Sequence, residues 1–146
     1  MQAYPHLYTA LATASAADAT VRIDSAGLHS LETDAPAEFG GPGNKWSPET
    51  LFVAAIADCY ILTFRSIARA SKLDWLALDC KVEGTLDRVD NVTKFTHYEI
   101  RAKLSVATGT DLDKARHIME KSEAVCLITN SLSGTKTLHA EVMLTD

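Results

Sequence analysis

The sequence predicts an α+β fold with antiparallel sheets and two main helices. Residues 76–87 and 95–107 alternate apolar and polar side chains, which is the pattern of strands with one wet face. Residues 48–71 and 112–125 repeat apolar side chains at three- and four-residue steps, which is the pattern of helices. The order strands, helix, hairpin, helix, strand indicates helices on one face of an antiparallel sheet.

Composition limits the classes of function. The chain has 146 residues, 47% of them hydrophobic and 23% charged, which predicts one globular domain over 1–146. A formal net charge of −5 without a basic cluster argues against nucleic-acid binding. No apolar run approaches the ~20 residues of a membrane span, and no secretory signal is visible, so we expect no membrane segment and a cytoplasmic protein. There a disulfide is more often transient than structural.

Short strands and an irregular loop are expected before the first helix. Residues 4–13 predict an edge strand, and residues 19–24 and 27–33 predict two more around a turn-like cluster. Glycine and proline make residues 34–44 an irregular loop.

The first helix has a strong start. Ser47 can cap free backbone N–H groups, Pro48 suits the first helical position, and Glu49 favours the positive end of the helix dipole. The helix should run over 48–71, and its first half is apolar on all sides, so we expect that half to be buried all round.

The second half of the chain should contain a hairpin, two helices and a last strand. Residues 88–94 join the two alternating segments, which predicts an antiparallel hairpin. Thr110 or Asp111 caps a helix over 112–125, residues 127–132 continue as a short helix, and residues 136–145 form the last strand.

Three cysteines are the candidates for chemistry. Cys59 lies in the middle of the first helix, and Cys126 follows the second helix, 67 positions later. By residue type alone each fits core packing, and Asp58 opposes a thiolate at Cys59, so a nucleophilic Cys59 needs a cation from elsewhere in the fold. If Cys59 and Cys126 meet, they form a thiol redox pair. Cys80 alternates with apolar neighbours and reads as core.

Other functional residues are few. By position alone Glu49 is a helix-start carboxylate, and Arg22, the only arginine before the first helix, is a solvated strand residue. The five histidines show no ligand spacing, so we expect no metal site. The glycine-rich loop lacks a phosphate-binding pattern, so we expect no nucleotide.

Two segments resemble the OsmC/Ohr family of osmotically inducible and organic hydroperoxide resistance proteins. The first segment is residues 41–59, GPGNKWSPETLFVAAIADC, and the second is residues 126–132, CLITNSL. The step of ten residues from Glu49 to Cys59 is the family's step, and the order of elements also fits.

The resemblance implies a thiol peroxidase that needs no cofactor. Cys59 would attack an organic hydroperoxide and become a sulfenic acid, Cys126 would condense with it to a disulfide, and a dithiol or lipoyl-type reductant would restore both thiols. Family members are intertwined homodimers. Apolar walls that include Trp46, Leu51 and Phe52 would favour organic peroxides over hydrogen peroxide.

The chain departs from the family at the arginine that holds the thiolate and pairs with the residue matching Glu49. Ungapped alignment places Asp18 there, Arg22 follows a few residues late, and Lys45 lacks the forked contact of an arginine. Asp58 and Leu127, the latter where the family often has proline, are further departures, and together they indicate a less characterised branch.

Two alternatives stay open. The same scaffold could bind an apolar small molecule without peroxide chemistry, which the missing arginine motivates. It could also carry another thiol reaction, such as hydrolysis or thiol transfer, although neither cysteine has a histidine base near it in sequence.

Overall fold

The computed structural model describes residues 2–146. The chain divides into two compact units, a first unit (Met1–Leu51) and a second unit (Phe52–Asp146). That residues 1–146 form one domain stays a prediction.

The first unit contains a small antiparallel sheet. Its strands are β1 (Leu11–Thr13), β2 (Val21–Asp24) and β3 (Leu31–Thr33), in the order β1-β2-β3, and a 3₁₀ turn follows at Ala37–Phe39. Of the predicted strand over 4–13, only the last three residues, Leu11–Thr13, form a strand. Leu11 pairs with Asp24, the last residue of β2, so the residues before Leu11 have no continuing strand beside them.

Helix α1 (Pro48–Ala70) begins where the sequence predicts and ends one residue early. Ser47 Oγ accepts the backbone N–H of Thr50 at 3.1 Å, and Thr50 Oγ1 accepts the N–H of Ser47 at 2.8 Å, which is a reciprocal cap. At the other end Lys72 has φ 53°, and the N–H of Leu73 reaches the carbonyl of Ala68 at 2.9 Å. This left-handed turn closes the helix.

The second unit contains a mixed three-stranded sheet. β4 (Ala77–Val89) and β5 (Val92–Ala107) form the expected antiparallel hairpin, and Asp90 and Asn91 make its two-residue turn with φ 51° and 62°. β6 (Thr135–Thr145) pairs with β5 in parallel, whereas the sequence predicted an antiparallel sheet throughout.

The parallel pairing follows from the connection. Helices α2 (Leu112–Ala124) and α3 (Leu127–Asn130) lie between β5 and β6 and carry the chain back to the start of β5 before β6 begins. Parallel neighbours need such a crossover, whereas a short turn gives antiparallel neighbours. The α+β class and the two main helices are confirmed.

The core of the second unit lies between the sheet and one face of α1. Its buried members from β5 are Tyr98, Ile100, Ala102, Leu104 and Val106, and those from α1 are Ile56, Tyr60, Phe64 and Ala68. The phenol of Tyr60 donates to the carbonyl of Met119 in α2 at 3.1 Å, so α1 and α2 are tied inside this core.

Only one face of α1 is buried in the single chain. Ala55, Asp58 and Leu62 are exposed, and Leu62 keeps 50% of its surface accessible. The expectation of burial all round is therefore wrong for one copy of the chain. By length and composition α1 could also cross a membrane, contrary to the sequence expectation, although core helices of soluble proteins pass the same test.

Candidate active site

The exposed face of α1 forms one wall of a groove of about 560 Å³ in the second unit. The opposite wall comes from Val125, which caps the end of α2, and from Leu127 and Ile128 at the start of α3. The lining is mostly apolar and comprises Ala55, Asp58, Cys59, Leu62, Thr63, Ser66, Ile67, Val125, Leu127 and Ile128. Such a groove suits a small, largely apolar ligand.

The groove brings Cys59 and Cys126 together. Cys59 lies one residue before the core residue Tyr60, so its side chain falls at the edge between the buried face and the groove. Cys126 directly precedes α3 and is 1% exposed. Each thiol shifts the pKa of the other, as neighbouring groups do, and both are free.

The two thiols differ in acidity. Burial is the main cause that raises the pKa of Cys59, and its contact with Cys126 raises it further. Burial also opposes ionisation of Cys126, but the backbone N–H of Thr129, the Cys59 thiol and the Thr129 hydroxyl together outweigh it, so the pKa of Cys126 is lowered. Within one chain Cys126 is the more readily ionised member of the pair.

Two hydroxyls beside the thiols have no role in the sequence analysis. Thr63 Oγ1 lies 3.9 Å from Cys59 Sγ, and Thr129, whose hydroxyl donates to the carbonyl of Cys126 at 3.1 Å, borders the other sulfur. The four-residue step from Cys59 to Thr63 on one helix is the signal that could have found the first. The second depends on the turn into α3.

The walls of this groove differ from those expected. Phe52 stacks on Phe95 with ring centroids 4.8 Å apart and packs against the core of the second unit, so it does not line this groove. Trp46 lines a separate depression in the first unit. The apolar surface beside Cys59 comes from other side chains, chiefly Leu62, Ile67 and Leu127.

One charge lines the groove, and it is negative. Asp58 is exposed and lies next to Cys59. The other lining side chains are aliphatic groups, two hydroxyls and the Cys59 thiol. The cation that would favour a Cys59 thiolate is thus absent from the lining of this groove.

Glu49 and Arg22 lie in the first unit. One carboxylate oxygen of Glu49, Oε2, is buried and has no hydrogen-bond partner within residues 2–146. The guanidinium of Arg22 forks onto Asp24 at 2.9–3.1 Å and also donates to Ser30 at 3.0 Å. Their roles toward Cys59 stay predictions.

The remaining candidates show no site chemistry. Cys80 packs against the core, and burial raises its pKa to about 12, which makes it an inert thiol at neutral pH. Over the described part of the chain no group of three or more histidine, cysteine or acidic side chains is arranged to hold a metal ion.

Comparison with known proteins assigns the family. The family model of OsmC-like proteins matches residues 41–141. Uncharacterized protein YmaD of Bacillus subtilis (strain 168) is 32% identical over 113 residues, which is 73% of each chain.

Solved structures share the fold. An OsmC-like protein of unknown function, VCA0330 from Vibrio cholerae, superposes with a TM-score of 0.78 at 20% identity, over 95% of this chain and 100% of that one. An organic hydroperoxide resistance protein OsmC from Legionella pneumophila, titled a predicted redox protein and regulator of sulfide bond formation, gives 0.71 at 26% identity, over 94% and 98%. The resemblance read from residues 41–59 and 126–132 is confirmed, and the chain belongs to the OsmC-like protein family.

Proposed function

We propose that this protein is a thiol-dependent peroxidase that reduces organic hydroperoxides through Cys59 and Cys126, as part of oxidative stress defence. The observation that carries the proposal is the pair of neighbouring free thiols, Cys59 and Cys126, beside an open, mostly apolar groove. Membership of a family that includes an organic hydroperoxide resistance protein supports it.

Accessibility decides which thiol attacks. Cys59 lines the groove, whereas Cys126 is 1% exposed. A peroxide must approach the attacking sulfur along its O–O axis, so the sulfur at the groove surface is the nucleophile. Cys126, the buried neighbour of Cys59, is then the resolving thiol.

The protein is converted to the disulfide in two steps, one oxidation by the peroxide and one condensation that releases water. The Cys59 thiolate attacks the outer oxygen of the hydroperoxide, the O–O bond breaks, and the alkoxide leaves and takes a proton to become the alcohol. Cys59 is now a sulfenic acid. The Cys126 sulfur attacks it, water leaves, and a Cys59–Cys126 disulfide remains. The lowered pKa of Cys126 favours this second step, because the thiolate is the attacking form.

A dithiol then returns the protein to its starting state. One sulfur of the reductant attacks the disulfide and releases one protein thiolate. Its second sulfur then attacks the mixed disulfide and releases the other, so that two protein thiols and an oxidised dithiol result after protonation. The apolar walls suit a lipoyl-type dithiol. We propose that the protein is cytoplasmic. We also propose that it binds no nucleic acid, membrane or metal ion.

We also propose a homodimer. Leu7, Tyr8 and Leu11 are 90%, 89% and 64% exposed, which leaves large apolar side chains for a second copy to cover. A homodimer would also allow Arg22, oriented by Glu49, to supply the cation that the groove of one chain lacks.

The test is steady-state turnover. The reduced protein is mixed with cumene hydroperoxide and dihydrolipoamide, and peroxide loss is followed, with hydrogen peroxide in parallel. We expect faster loss of the organic peroxide and none above background for Cys59→Ser, whose hydroxyl cannot replace the thiolate. A Cys126→Ser protein that turns over normally would contradict the resolving role.

A second candidate is a small-molecule binding protein. The raised pKa of Cys59 and the groove lining without a cation favour it. In that case 2-phenyl-2-propanol, the alcohol product of cumene hydroperoxide, should protect Cys59 from iodoacetamide, while peroxide loss equals that of Cys59→Ser even at pH 9. Turnover above that control excludes this candidate.

A further inference from the structure

From the charge of the groove we infer that Asp58 is a specificity-determining residue that directs the Cys59 site toward uncharged hydroperoxides and away from those that carry a carboxylate. The inference deepens the proposed peroxidase function and rests on it. It concerns which hydroperoxides reach Cys59, beyond the general preference for organic ones.

Asp58 lies beside the proposed nucleophile. Asp58 directly precedes Cys59 in α1, and both side chains line the same groove. Its side chain is exposed and forms no salt bridge among the described residues, so no cation of this chain neutralises its carboxylate in the groove.

The surroundings leave that charge unbalanced. Apart from Asp58 the lining consists of aliphatic side chains, two hydroxyls and the Cys59 thiol. Arg65 is the next charged residue along α1, but it follows seven residues later, about 10 Å along the helix, and is not part of the lining. Whatever cation a second copy brings to the sulfur, a ligand in the groove therefore meets the negative charge of Asp58 beside apolar walls.

The consequence for substrates follows from Coulomb's law. A second negative charge within a few ångströms of Asp58 is repelled, and low-polarity walls weaken the screening by water. We expect the repulsion to reduce the reaction of Cys59 with a carboxylate-bearing reagent roughly three- to tenfold at low salt. An uncharged reagent of the same shape is unaffected by this repulsion.

The experiment separates charge selection from peroxidase activity by using alkylation. The probes are iodoacetamide, which is neutral, and iodoacetate, which is anionic, and mass spectrometry follows modification of the Cys59 peptide. The rate ratio of the two reagents removes any change in thiolate content, since that change affects both equally. 2-Mercaptoethanol gives the ratio for an uncharged thiol.

The matched variants are Asp58→Asn and Asp74→Asn. Both remove one negative charge, but Asp74 is exposed after α1 and does not line the groove. We expect the ratio of the iodoacetate rate to the iodoacetamide rate to increase roughly three- to tenfold in Asp58→Asn and to change little in Asp74→Asn. Raising the salt concentration from about 20 mM to about 500 mM should bring the iodoacetate and iodoacetamide rates of the wild type closer together, because salt screens the charge of Asp58. This tests the role of that charge without any substitution.

A second arm uses cumene hydroperoxide and its 4-carboxy derivative. The wild-type kcat/KM should favour the neutral compound, and Asp58→Asn should reduce that preference. Equal alkylation ratios in wild type and Asp58→Asn, or a salt-independent ratio, would overturn the inference. Loss of turnover with both peroxides would instead refute the proposed peroxidase function, while the alkylation ratios would still decide the role of Asp58.

Discussion

Cys59 holds its proton more tightly than an ordinary cysteine, because burial and the neighbouring Cys126 thiol both disfavour its thiolate. A raised pKa means that the thiolate fraction at pH 7 is small and grows as pH rises. If the environment of one chain governs Cys59, the rate of its oxidation by cumene hydroperoxide should increase from pH 7 through pH 9, without levelling off below the ordinary cysteine pKa of about 8.5. The Arg22 cation proposed for the homodimer would instead move the plateau to lower pH.

Stopped-flow measurement of a single oxidation event checks this pH dependence, with Cys80→Ser as the control, since that core thiol should contribute nothing. A plateau already reached near pH 6 would contradict the environment described for Cys59. It would show that a cation, with Arg22 the first to test, reaches the sulfur in the assembled protein.

The roles of single residues could be predicted where the neighbouring sequence alone determines them. The segments around Cys59 and Cys126 identified the two thiols, and Ser47 identified the start of the helix. The hydroxyls of Thr63 and Thr129 and the unbalanced charge of Asp58 could not be assigned, because their importance depends on which side chains face the groove. The expected wall Phe52 instead packs against the core, where its ring stacks on Phe95.

The hairpin of β4 and β5 depends on a glycine. A methyl group at Gly84 would lie 2.9 Å from Phe95 Cε1 and 2.9 Å from Val53 Cγ1. The Phe95 ring cannot easily yield, because it stacks on Phe52 and on Tyr98. We expect Gly84→Ala to lower the free energy of unfolding by about 1–3 kcal/mol through overpacking.

Urea unfolding measures that loss, and Thr85→Ala, a substitution at the exposed neighbouring strand position, is the matched control. An unchanged midpoint in Gly84→Ala would show that the packing around Phe95 is looser than the structure indicates.

Elements with a clear period could be predicted closely, whereas strand direction could not. Helix α1 was expected over 48–71 and runs from Pro48 to Ala70, because apolar steps and the Ser47 cap act locally. Alternation in residues 136–145 identifies the buried face of β6 but carries no information on its direction. The parallel pairing is set by α2 and α3, which return the chain along the sheet.

For the whole molecule, exposed apolar surface argues for association. The buried apolar residues of the described chain all come from the second unit, while Leu7, Tyr8 and Leu11 in the first unit are each at least 64% exposed. We expect a dimer by sedimentation velocity at micromolar protein, because covering such side chains is favourable.

Replacing Leu7 and Tyr8 together by serine should increase the monomer fraction, because less apolar area is then removed from water on association. Thr9→Ser, an exposed change that keeps the hydroxyl, is the control. A wild-type protein that sediments only as a monomer would contradict the homodimer.

The fold class could be predicted from the order of elements, and the family from two short segments. The exposed face of α1 could not be predicted from the sequence. A helix that is apolar all round has the same sequence pattern whether its own chain or a second copy covers it. The balance between peroxidase and binding protein depends on the charge around Cys59, which is a property of the assembled site.

The most direct measurement treats the reduced protein with one equivalent of cumene hydroperoxide and maps the cysteine-containing peptides by mass spectrometry. The proposed function predicts a Cys59–Cys126 disulfide, seen as the loss of two hydrogen atoms, with Cys80 unmodified and with a sulfenic acid on Cys59 in Cys126→Ser. Unreacted Cys59, or a disulfide that involves Cys80, would contradict it.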